Sequence, residues 1–347
     1  MNSGSVKSFG FNLNGVMPGD APLVSSVRPL APDRGAPRFF VPVSGYARRG
    51  DTARAMLDNI PLLRSLLFVP AGDARKTERA LASAADAVIL DLEDALAGDQ
   101  KAGARQAAGE VVARAGGAMK VVVRVNAIET ELTRDDVQAV VRQGLTAVVL
   151  PKVRAPQDLR DLDVLLREAE TARGVRPGAV AVIPLIESAR ALLRCEEIAR
   201  ATDRAIALAL GGEDLSLELG VERTADGAAL AHARGVIATV AAAYGMQAID
   251  APWIDFGDSS GLERDAQVAR AVGFGGKLAI HPDQLPVINN MFAPGEREIA
   301  EAQRIVAAFS EGAGGAVSAH GRMIDAPVVE RARRTLALAE RVRSQGR

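Results

Sequence analysis

Ala87-Val88-Ile89-Leu90-Asp91-Leu92-Glu93-Asp94-Ala95 decides the fold. Four apolar residues run without polar alternation and then break into three carboxylates within four positions. An unalternated apolar run of this length marks a strand buried on both faces, as in a parallel sheet. Acids placed directly after it lie where the strand leaves the core. The same unit recurs along the chain: Leu66–Val69 before it, then Val121–Val123, Ala147–Leu150, Val180–Ile183, Ala205–Leu208, Gln247–Ile249 and Lys277–Ile280. Helical stretches separate them, among them Ala74–Ala85, Gln100–Arg114, Pro156–Arg173, Ala189–Ala201, Ala225–Tyr244 and Leu262–Ala271. Eight strands alternating with helices predict an α/β protein, a (β/α)8 TIM barrel. The competing open, doubly wound sheet lacks its Gly-x-Gly-x-x-Gly after the first strand.

Outward from the barrel, residues 1–60 are rich in Gly, Pro, Ser and Arg without periodicity and predict a flexible extension. The barrel is expected over 61–295. Residues 296–347 predict a C-terminal helical appendage interrupted by Gly312–Gly315. The 347-residue chain is 48% hydrophobic and 24% charged, ordinary for a globular protein with a large core. A net charge of −1 supplies no field to recruit nucleic acid or an anionic membrane. No apolar run is long enough to span a bilayer, and the N-terminus lacks the apolar centre of a secretory signal. The single cysteine, Cys195, excludes an internal disulfide and fits a cytoplasmic protein. With three histidines and one cysteine, a zinc site is disfavoured against oxygen-liganded metals.

Chemistry in this fold sits at the C-terminal ends of the strands. There the sequence places Glu93 and Asp94, Arg124 and Asn126, Lys152, Glu187, and Gly211-Gly212-Glu213-Asp214. Any one acid after a strand can be a helix N-cap, and Asp94 or Asp214 alone reads that way. Five adjacent strands delivering charge to one rim do not. Glu187 follows Ile183-Pro184-Leu185-Ile186, where an unpartnered carboxylate is costly. Shared with Asp214 and waters, a Mg²⁺ ion answers that cost and keeps positions open for substrate. Arg124 offers a planar fork for a substrate carboxylate. The alternative is that it only neutralises Glu93, Asp94 or Glu187. Cys195 reads as core, and His281 receives no role.

These residues carry a resemblance. Arg64–Pro70, Ala87–Ala95, Val123–Asn126, Leu150–Lys152, Pro184–Ala189, Gly211–Leu215 and Gly276–Pro282 occur in the order of the HpcH/HpaI aldolase superfamily. Within it, the chain is most similar to the citrate lyase beta-subunit-like group, with its malyl-CoA and citramalyl-CoA lyase branch. The resemblance implies Mg²⁺ on Glu187 and Asp214. It also implies a substrate contact from Arg124, bordered by Glu187, and another from Arg64, although Arg64 precedes the first strand. Glu93 would support Arg124 or the metal's waters. Asp325 would reach a neighbouring subunit's site and move a proton, which implies a homo-oligomer, a trimer or hexamer. The expected activity is cleavage of a 3-hydroxyacyl-CoA to an acyl-CoA and a 2-oxo acid. The alternatives are a citrate lyase beta subunit acting on a citryl thioester, a 2-oxo acid aldolase releasing pyruvate, or a catalytically silent barrel. The pyruvate aldolases carry a histidine just after the acid pair, where this chain has Ala95.

Overall fold

The computed structural model describes residues 61–115, 119–224, 226–311, 317–319 and 322–345. The predicted extension over 1–60, the Gly-rich break 312–315 and residue 321 lie outside them. Eight parallel strands close into a barrel in sequence order. They are β1 (Ser65–Pro70), β2 (Ala87–Asp91), β3 (Lys120–Arg124), β4 (Leu145–Leu150), β5 (Ala181–Ile186), β6 (Ala207–Leu210), β7 (Gln247–Asp250) and β8 (Gly276–Ala279). β8 pairs with β1 through Leu66 and Leu278. Closure leaves the barrel sheet without an edge.

The helices are α1 (Ala74–Leu81), α2 (Lys101–Ala115), α3 (Leu132–Val140), α4 (Pro156–Ala172), α5 (Ala189–Leu193) and α6 (Cys195–Ala199). They continue with α7 (Gly212–Leu219), α8 (Ala231–Ala243), α9 (Ser259–Ala271), α10 (Leu285–Met291), α11 (Glu296–Glu311) and α12 (Ala326–Ser344). The predicted helix over 189–201 is two, broken at Arg194. Helices α3, α7 and α10 are not among the stretches that the sequence predicts. In α7 the acids Glu213 and Asp214 occupy the first turn.

Strand residues alternate between two cores, as the period of two requires. Leu66, Ala87, Ile89, Val122, Val149, Ile183, Leu185, Ala209, Ile249 and Leu278 fill the lumen. Leu67, Val88, Leu90, Val123, Val148, Ile186 and Leu208 face the helices. Continued by parity, the lumen rows of β2, β3 and β5 arrive at Asp91, Arg124 and Glu187. The alternation that packs the barrel therefore aims these side chains at its mouth.

The opposite end is sealed. Arg64 is buried and grips Asp86 with Nε and Nη2 at 2.9 and 2.8 Å, and the Arg64 amide donates to the same carboxylate. Between the barrel wall and α8 and α9, Arg234 and Lys277 pair with Asp250 and Asp265, all four buried. Charge is balanced within that quartet, which is what makes its burial tolerable.

The C-terminal segment was expected to be helical. It also contains an antiparallel pair, β9 (Val317–Ala319) with β10 (Arg322–Ile324), between α11 and α12. Val317 and Ile324 are partners in its register.

Candidate active site

The site begins at the paired ends of β2 and β3, where Asp91 stands in register with Arg124. Nε of Arg124 donates to Asp91 Oδ1 at 2.7 Å and Nη2 to Oδ2 at 2.6 Å, a planar two-point lock. Nη1 faces Glu93 Oε2 at 3.1 Å and Asp94 Oδ2 at 3.3 Å. The guanidinium lies 4.9 Å from the centre of the Phe68 ring. Burial works against its charge, but the pairing with Asp91, Glu93 and Asp94 outweighs burial and raises its pKa. Asp91 also accepts the amides of Glu93 and Ala95, so the turn after β2 is built around it. Asn126 braces the same turn by donating to Leu92 O at 3.1 Å.

Glu93 is buried, and its two oxygens are divided between cations: Oε2 faces Arg124, and Oε1 lies 2.7 Å from Lys152 Nζ. Burial raises its pKa, against the pull of those two neighbours. Lys152 is the one non-glycine with positive φ, 52°, among the described residues. The left-handed region costs an L-residue about 1–2 kcal/mol. Here the turn directs the Lys152 amide to Glu187 Oε1.

Glu187 is 4% exposed, and burial pushes its carboxyl up to about 8. The Lys152 amide and Arg124 oppose that rise, while the charges of Asp214 and Glu93 add to it. Glu187 and Asp214 line one cavity of about 410 Å³ with Phe68, Asp91, Arg124 and Gly211. Asp214 is exposed in the first turn of α7, where the helix dipole favours an anion. Gly211 is obligatory in this packing. A Cβ there would stand 2.3 Å from Glu187 Cβ and 2.6 Å from its Oε2.

A family model described as HpcH/HpaI aldolase/citrate lyase matches residues 64–282. The chain belongs to that family. It is 35% identical to the citrate lyase subunit beta of Leuconostoc mesenteroides subsp. cremoris, over 82% of this chain and 95% of the relative. It is 30% identical to the human mitochondrial citramalyl-CoA lyase, over 81% of this chain and 87% of the relative. Among solved structures, CitE from Mycobacterium tuberculosis in complex with magnesium, acetoacetate and coenzyme A superposes with a TM-score of 0.66. That pair shares 36% identity, covering 80% of this chain and 97% of the other.

Set against the sequence expectations, the fold brings Arg124, Glu93, Glu187 and Asp214 of this family member to one mouth. Arg124 pairs with Glu93 and Asp94 and also lines the cavity. Arg64 is not brought there. It is locked to Asp86 at the far end of the barrel, because it precedes β1 rather than following it. Asp325 caps its own helix, accepting from the Val328 amide at 3.2 Å, and does not line this cavity. His281 stacks on Phe256 at the rim, outside the cavity lining.

Sequence reasoning placed Asp91 and Lys152 at strand ends without giving either a role in the site. Asp91 was legible from parity, since it continues the row of Ala87 and Ile89. Nothing in the sequence announced the backbone conformation of Lys152, which is a product of the packed turn.

Proposed function

We propose that this family member is a Mg²⁺-dependent carbon–carbon lyase. It would cleave a 3-hydroxyacyl-CoA of the malyl-CoA or citramalyl-CoA type to an acyl-CoA and a 2-oxo acid. The observation that carries this reading is the convergence of Glu187, Asp214 and Arg124 on one cavity. Asp91, Glu93, Asp94, Glu187 and Asp214 are five carboxylates around two cations, Arg124 and Lys152, a deficit of three charges when all are ionised. A divalent ion offsets most of that deficit, and the buried, proton-holding Glu187 is the group that gains most from it.

Glu187 and Asp214 would hold the ion. Two carboxylates and an open cavity suit Mg²⁺, which keeps several exchangeable positions. When bound, it supplies Lewis-acid polarisation of the substrate hydroxyl and carboxylate oxygens. Arg124, fixed in plane by Asp91, turns its remaining N–H groups to the substrate carboxylate. Glu93 holds Nη1 of that guanidinium. Cleavage moves one proton overall, from the hydroxyl oxygen to the acyl carbon that leaves. Asp325 would carry that proton into a neighbouring subunit's cavity, in a homo-oligomer built as a trimer or hexamer. Its place at the start of α12, outside its own cavity, supports delivery between subunits.

The relative from Leuconostoc favours a second reading, the same cleavage performed on a citryl thioester. One screen separates the two: malyl-, citramalyl-, methylmalyl- and citryl-CoA, assayed for 2-oxo acid release with Mg²⁺ and after EDTA. Release confined to citryl-CoA selects the second reading. Undiminished release after EDTA removes the metal from both.

A further inference from the structure

We propose that Lys152 is a positioning residue of this site, whose amide fixes Glu187 and whose ammonium fixes Glu93, leaving Arg124 an edge for substrate. The inference deepens the lyase reading and rests on it for the identity of the substrate. The placement of Glu187 and Glu93 stands on geometry alone.

Lys152 follows β4 and turns at once into the left-handed region, with φ 52°. That turn sends its two polar ends to different staves of the barrel. The amide donates to Glu187 Oε1, beside β5. The ammonium reaches Glu93 Oε1 at 2.7 Å, beyond β2, with Asp94 Oδ1 at 3.5 Å. Glu93 is buried, so its charge needs partners, and its other oxygen already faces Arg124 Nη1 at 3.1 Å. Without the ammonium, the whole attraction of Glu93 falls on Arg124. The Glu93 carboxylate then competes with an incoming carboxylate for the Nη1 N–H groups of Arg124. A long, flexible cation is needed for this reach, which is why lysine tolerates a conformation that glycine would adopt without strain.

The two halves of the role separate experimentally in the full-length chain. K152M keeps the unbranched stem and the amide and removes the charge. K152R restores the charge. K152V also loses the charge and, being β-branched, resists the left-handed turn, so the amide moves. Calorimetry with Mg²⁺, and with pyruvate in the presence of Mg²⁺, reads binding without turnover. The expected result for K152M is Mg²⁺ affinity within about threefold of wild type and pyruvate affinity lower by about tenfold or more. K152R should recover most of the loss, and K152V should weaken Mg²⁺ by about tenfold as well.

Wild-type pyruvate binding in K152M overturns the proposal, as does K152R binding no better than K152M. Should K152M fail to fold by circular dichroism, K152R must restore fold and binding together, and fold without binding overturns it equally. If the wild type releases no 2-oxo acid from any thioester, the lyase reading falls, while the two titrations still judge Lys152.

Discussion

Glu187 is the residue on which the site turns. Its carboxyl is held up to about 8, against an ordinary 4.5, first by burial and then by the charges of Asp214 and Glu93. Since a metal binds the carboxylate and not the acid, a proton competes with Mg²⁺ below that value. Apparent Mg²⁺ affinity is expected to fall by about tenfold per pH unit below about 8 and to level off above it, with proton release on binding measurable by calorimetry in buffers of different ionisation enthalpy. The effect on stability has the opposite sense. A folded value above the unfolded one means that the native state holds the extra proton. Glu187 therefore contributes stability at low pH that is lost as pH rises from about 4.5 through about 8. Melting curves of the metal-free protein should show that loss, and Glu187→Gln should flatten it. The same variant and Asp214→Asn should keep the fold but bind no Mg²⁺ and turn nothing over. Retained turnover in both would remove the metal assignment.

At the scale of the element, the end of β6 packs Gly211 against Glu187 with no space to spare, and α7 then carries Asp214 in its first turn. The barrel brings the two segments together, and Gly211 is what allows the approach. Gly211→Ala should destabilise the protein by about 1–3 kcal/mol, because the Cβ meets the Glu187 side chain close to the backbone and neither can swing away. Mg²⁺ affinity should drop with it by about tenfold or more, since the displaced carboxylate leaves its partner. Thermal melts alongside Mg²⁺ titration check both, and unchanged Mg²⁺ binding would show that the close packing is dispensable. The strand rows themselves needed no structure to be read: Ala87, Ile89 and Asp91 share a face because side chains alternate. The short helices were another matter. Residues 212–219 carry too few apolar positions to show a period, and only the barrel behind Leu215 gives the helix a face to bury.

At the scale of the whole molecule, the question is whether one chain completes its own site. Asp325 stands at the start of α12 and lines no part of the cavity. If it serves a neighbouring subunit, Asp325→Ala and Glu187→Gln are each inactive alone, and mixed oligomers of the two regain activity. In a random one-to-one mixture about one quarter of the sites combine an intact Glu187 with an intact neighbouring Asp325, so recovery near that fraction is expected. Mixtures as inactive as their parents would return Asp325 to a capping role. The barrel, its lumen and the rim acids followed from the sequence alone, because burial on both faces and a period of two are written in consecutive residues. The segments that the family shares are likewise contiguous runs. Tertiary structure alone decided which acid locks Arg124, that Arg64 seals the far end against Asp86, and that Lys152 links Glu93 to Glu187. Those pairings join residues 22 to 59 positions apart, and one of them depends on a backbone angle set by the packed turn. No run of neighbouring residues encodes such a distance.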